Sequence, residues 1–116
     1  MIRDNEHFRT LWNYAGTERR RVLLALCERL SEEPDPITLD FLEDRLEEAG
    51  IIIPKGERLG SDMEHLRELD VVRMDATPRG SVYRLAIPLM GRWIRQHIDF
   101  NDLLNLARRE GEEKAL

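Results

Sequence analysis

The chain is 116 residues long, 41% hydrophobic and 35% charged, with 23 acidic side chains against 18 Lys and Arg and a single cysteine. That length makes one domain with room for a core, so folding needs neither a metal staple nor the disulfide framework that one cysteine excludes. The Met-Ile-Arg-Asp-Asn opening has no signal-peptide apolar core, and no run reaches the roughly 18 apolar residues of a membrane span, so a cytoplasmic protein without a membrane partner is expected.

Phe8, Leu11, Trp12 and Ala15 fall at i, i+3, i+4 and i+7, one face of an amphipathic helix that starts near Asp4 and stops at Gly16. Thr17 offers the N-cap of a second helix, with Val22, Leu23, Leu26 and Leu30 as its stripe and Cys27 beside it. Pro34 and Pro36 end it and leave Ile37 as a one-residue strand. Thr38 caps a third helix with Leu39, Leu42, Leu46 and Ala49 inward, Asp40 in its first turn and Gly50 at C′. After the apolar link Ile51-Ile52-Ile53, the capping-box spacing of Ser61 and Glu64 predicts a fourth helix over 62–69, with Met63, Leu66 and Leu69 inward, and leaves open an earlier turn over 57–60.

From Val71 the period becomes two. Val71–Met74 and Ser81–Ala86 alternate around the turn chemistry of residues 75–80, which predicts a β-hairpin. Pro88 suits the first turn of another helix with Leu89, Trp93, Ile94 and His97 or Ile98 inward. Asp99 caps a last one with Phe100, Leu103, Leu104 and Ala107 inward, after which the charged stretch from Arg108 reads as solvated and fraying. The organisation expected is therefore a helix in 1–16, a core in 17–87, helices in 88–110 that pack on the core or on a dimer partner, and a frayed tail in 111–116.

Helix, short strand, helix, helix, hairpin is the element order of a winged helix-turn-helix, an α+β fold of three core helices and a two-stranded wing, here with added N- and C-terminal helices. Helix 62–69 would be its recognition helix, the element that enters the major groove in DNA-binding members. Its charge is wrong for that task. Residues 57–70 hold five acidic side chains against two arginines, and residues 31–50 hold eight against Arg45 alone. DNA binding rests on Lys and Arg displacing counterions from a dense row of phosphates, so these helices would be repelled. The wing is the exception, with Arg73, Arg79 and Arg84 against Asp75. Candidate DNA contacts are thus Arg67, Arg73, Arg79 and Arg84. Arg19-Arg20-Arg21 reads as a solvated first turn, since a helix N-terminus disfavours cations.

Leu11-Trp12, the helix Glu18-Arg19-Arg20-Arg21-Val22-Leu23-Leu24-Ala25-Leu26, the spacing Met63-x-x-Leu66-x-x-Leu69, and above all Tyr83-Arg84-Leu85-Ala86-Ile87-Pro88-Leu89-Met90-Gly91-Arg92-Trp93-Ile94 carry a resemblance over Phe8–Arg109. They resemble the winged-helix module that follows the nucleotide-binding domain in AAA+ and STAND-type ATPases. The resemblance implies a module that packs on an ATPase domain or relays its state. No Walker-type loop is present, so nucleotide binding is not implied.

No catalytic, cofactor or metal constellation assembles. His7, His65 and His97 are isolated, Cys27 has no histidine near it in sequence, and the carboxylates of 40–48 lack the glycine and spacing of a calcium loop. The functional reading is a non-enzymatic interaction or regulatory module; the alternative is a DNA-binding regulator. Candidate partner-surface residues are Phe8, Leu11, Trp12, Asp40, Glu43, Glu47, Phe100 and Leu103, the terminal apolar ones forming either an intrachain pair or a homodimer surface.

Overall fold

A threonine hydroxyl starts each of two central helices: Thr17 Oγ1 accepts from Arg20 N–H at 3.1 Å and Thr38 Oγ1 from Phe41 N–H at 3.1 Å. Around them the computed structural model, which describes residues 2–115, places an α+β chain. The order is α1 (Ile2–Tyr14), α2 (Glu18–Arg29), α3 (Leu39–Glu48), α4 (Leu59–Glu68), β1 (Val72–Thr77), β2 (Gly80–Leu85), α5 (Pro88–His97) and α6 (Phe100–Ala115). Among the described residues the only sheet is the antiparallel pair β1–β2, in register from Val72↔Leu85 to Thr77↔Gly80. Its strands run further than the alternation predicts, which shrinks the turn to Pro78-Arg79.

Both α3 and α4 end in the same way. The N–H of Ile51 returns to Leu46 C=O at 2.9 Å and that of Gly50 to Glu47 at 3.0 Å; Val71 returns to Leu66 at 3.2 Å and Asp70 to Arg67 at 2.9 Å. These are Schellman pairs, which require a left-handed residue at C′. Gly50 meets that at φ +76°, whereas Asp70 does so at φ 59° with a full side chain. Ile37 forms no strand; its carbonyl accepts from Tyr83 N–H at 2.8 Å and ties the link before α3 to the outer edge of β2.

α2 lies at the centre, against α4, α5, α6 and β2, and every residue from Val22 to Glu28 is buried. Gly91 lets α5 come that close: a Cβ there would stand 2.7 Å from Leu85 Cδ2 and 3.2 Å from Glu28 Cγ. α1 lies on α5, with Trp12 edge-on to Trp93 at 6.1 Å between ring centroids. Asp99 caps α6 by accepting from Asp102 N–H at 3.1 Å.

Four expectations are corrected. α4 starts at Leu59, not Asp62, and the capping box does not form, because Leu59 is buried and Asp62 is drawn inward by Arg19. Leu89 is exposed on α5, which turns Met90, Trp93 and Ile94 inward instead. His97 is exposed, its ring stacked on Trp93 at 5.2 Å, and Ile98 is the half-buried one.

The fourth concerns the charged end. α6 continues to Ala115, and Leu116 alone of the predicted tail lies outside the described residues. Two contacts dock this segment. Glu110 accepts the N–H groups of Glu18 at 2.8 Å and Arg19 at 3.3 Å, serving as a distant cap for α2, and Gly111 is buried where a Cβ would stand 2.7 Å from Ile52 O. Neither contact uses an apolar side chain, so the hydrophobic period stops while the packing does not.

Candidate interaction surfaces

The arginine triplet is a structural clasp and not a solvated turn. Arg19 is 5% exposed and Asp62 1%. Arg19 Nε donates to Asp62 Oδ2 at 2.7 Å, Arg19 Nη2 to Glu57 Oε1 at 2.8 Å, and Arg20 Nε to Asp62 Oδ1 at 2.9 Å. Arg21 bonds Glu18 at 2.7 Å and reaches the carbonyls of Trp12 at 3.0 Å and Asn13 at 3.1 Å, holding the end of α1. Burial works against the Arg19 guanidinium, but its bonds to Asp62 and Glu57 prevail and raise its pKa. Arg19 in turn holds the Glu57 carboxyl below the usual range. All three cations are thus committed inside the fold.

The outer faces of α3 and α4 form an acidic surface. Asp40, Glu43, Asp44, Glu47 and Glu48 are exposed on α3, and Glu64 and Glu68 on α4. Arg67, the candidate contact on α4, is bound to Glu64 at 2.7 Å, and His65 Nε2 donates to Tyr14 C=O at 2.8 Å, so the end of α1 covers part of this helix.

The hairpin carries the other three candidate arginines, all exposed. Arg73 and Arg84 sit directly opposite each other in the register and share the outer face, where Asp75 pairs with Arg84 at 3.4 Å; Arg79 stands in the turn. The register thus sets Arg73 and Arg84 near the base of the hairpin and Arg79 at its far end.

The apolar candidates divide. Phe8, Trp12 and Leu103 are buried inside this chain and are not available to a partner; Leu11 and Phe100 are half-buried. Within the chain α1 packs on α5, through Trp12 on Trp93.

One surface escaped the sequence reading altogether. A groove runs beside the end of α2, with Phe100 and Leu104 on one flank, β2 on the other and Glu28 between them. The signal for it lay in α2, where Glu28 follows Leu24 by four residues and so falls on a face that is otherwise apolar.

Burial pushes the Cys27 thiol up to about 12, so it stays protonated at neutral pH and is no nucleophile. Among the described residues no group of three or more His, Cys, Asp or Glu side chains is placed to hold a metal ion, and no helix is long and apolar enough to cross a membrane. No protein-family model, curated protein or solved structure matches the chain.

Proposed function

We propose that the chain is a winged helix-turn-helix module, resembling the one that follows the nucleotide-binding domain in AAA+ and STAND-type ATPases, and that it acts without catalysis by docking a protein partner: an ATPase domain or a second copy of itself. The element order from α2 to β2, with Ile37 bonded to Tyr83 beside the hairpin, supports the fold reading. One observation carries the functional reading. The helix pair that would face a DNA groove presents Asp40, Glu43, Glu47, Glu64 and Glu68 to solvent, while its one candidate arginine, Arg67, is paired with Glu64.

The second reading, a DNA-binding regulator, is favoured by the exposed arginines of the hairpin, Arg73 and Arg84 paired in register near its base and Arg79 in its turn. Fluorescence anisotropy with a labelled random-sequence duplex at about 50 mM salt separates them. The docking reading expects no saturable binding. Binding that falls steeply with salt and is lost in Arg79→Glu would overturn it in favour of the regulator.

A further inference from the structure

The hydrogen-bond phase of the hairpin follows from two bonds at its margins. Tyr83 N–H leaves the hairpin to reach Ile37 C=O at 2.8 Å, and Ala86 N–H continues the ladder to Val71 C=O at 2.9 Å. Along an antiparallel pair, residues that exchange bonds alternate with residues whose N–H and C=O point away. Tyr83 therefore points its groups outward, and so does Met74, its partner in the register. On β1 the outward groups belong to Val72, Met74 and Ala76, while Arg73, Asp75 and Thr77 spend theirs on β2.

The link at Ile37 covers one edge of this sheet, and the edge along β1 is open. Among the described residues no hydrogen bond is formed to the outward groups of Met74 or Ala76. Ala76 is exposed and Met74 half-buried, whereas Val72, 2% exposed, belongs to the body of the fold. An unpaired edge is a template for another strand, and native proteins blunt it with prolines, bulges or repelling charges. β1 has no proline, and its register with β2 runs unbroken from Val72 to Thr77. Its two charges, Arg73 and Asp75, are of opposite sign.

That pattern selects the occupant. Two copies meeting through β1 run antiparallel about a two-fold axis, which the phase allows at Arg73, at Met74 or at Asp75. An axis at Arg73 sets that residue against itself and one at Asp75 does the same for the carboxylate, and like charges directly opposite are destabilising. An axis at Met74 sets Arg73 of each copy against Asp75 of the other, while the two Met74 residues exchange both their hydrogen bonds. Within one copy Arg73 lies opposite the like-charged Arg84, which takes Asp75 at 3.4 Å, and forms no ion pair among the described residues. Because β1 is buried at Val72 and exposed from Asp75 onward, the antiparallel arrangement lays each body beside the other's free turn. It carries Arg79 of one copy toward Glu68 and Asp70, both exposed at the end of the other's α4.

We infer that β1 pairs with β1 of a second copy, antiparallel and centred on Met74, to build a four-stranded sheet across a two-fold axis. This rests on reading the chain as a protein-docking module, and it names the second copy as the partner of this edge.

Sedimentation velocity of the full chain over a concentration series tests the pairing. A reversible dimer with a dissociation constant of about 100 μM is expected, since an edge contact buries little area. Its concentration-dependent amide shifts should fall on β1, largest at Met74 and Ala76. Arg73→Asp and Asp75→Arg each place like charges opposite one another twice per dimer and should weaken association at least about tenfold. Mixing these two variants should restore it, because each then meets the opposite charge at both positions, and the double variant Arg73→Asp/Asp75→Arg should associate with itself as the natural chain does. Circular dichroism of each variant separates loss of association from loss of fold. A chain still monomeric at about 1 mM, tenfold above the expected constant, would overturn the inference. So would shifts mapping to another face, single variants that associate undiminished, or single variants that stay apart when mixed. A monomer refutes this pairing alone, and the docking reading stands or falls separately on the duplex experiment.

Discussion

Removing Asp62 tests whether the clasp at the start of α2 behaves as a buried ion pair. Asp62→Ala deletes an acceptor that takes hydrogen bonds from Arg19 Nε at 2.7 Å, Arg19 Nη2 at 3.2 Å and Arg20 Nε at 2.9 Å. Arg20 turns to solvent readily, being about a quarter exposed, but Arg19 is 6% exposed at its side chain and remains with Glu57 alone. Breaking one partner out of a buried pair costs about 3–5 kcal/mol, and the surviving Glu57 contact places this case near the lower end, about 3 kcal/mol. Against a total stability of roughly 5–15 kcal/mol that is a large fraction, read as a shift in the urea midpoint at unchanged slope. Replacing both partners, Arg19→Met with Asp62→Leu, should recover much of the loss, because apolar residues of similar volume satisfy the same space without an uncompensated charge. A loss under about 1 kcal/mol for Asp62→Ala, or a double variant whose loss equals the two single losses added, would refute the reasoning.

Gly111→Ala should destabilise the fold by about 1–3 kcal/mol in urea, since its Cβ would stand 2.7 Å from the Ile52 carbonyl and neither backbone yields cheaply. Cys27 should resist thiol reagents in the native protein and react only at the rate of unfolding, measured by absorbance with a chromogenic disulfide reagent. Glu57, its carboxyl held low by Arg19, gives stability that is present above the ordinary carboxylate pKa of 4.5 and is lost as the pH falls through the lower folded value. Glu57→Gln should flatten that limb of an acid titration followed by circular dichroism.

What the sequence revealed about the fold was whatever is written locally. Thr17, Thr38 and Asp99 announce helix starts because the capping acceptor and its donors lie within three residues, and Gly50 announces an end because its left-handed turn is its own. The start of α4 was not legible, for Ser61 and Glu64 spell a capping box that loses to a bond from Asp62 to Arg19, 43 residues away. The arginine triplet was misread for the same reason: a charged run looks solvated unless its acidic partners on other elements are known. Apolar periodicity placed Trp12 and Phe8 on one face but not what that face met. Glu28 was passed over because a single charge within an apolar helix leaves the period intact, and the cavities on either side of it exist only after α3, α6 and β2 are assembled.

The cap that Glu110 places on α2 spans 92 residues of chain. Thr17 serves the Arg20 amide locally, but the protein acceptor for the amides of Glu18 and Arg19 comes from α6, at the far end of the chain. The last helix therefore completes the first turn of the central one, beside the local cap from Thr17. Contacts of that span are slow to form because the loop must close before anything rewards it. A chain stopped short of Glu110 would still hold every residue of α2 while leaving the beginning of that helix unfinished.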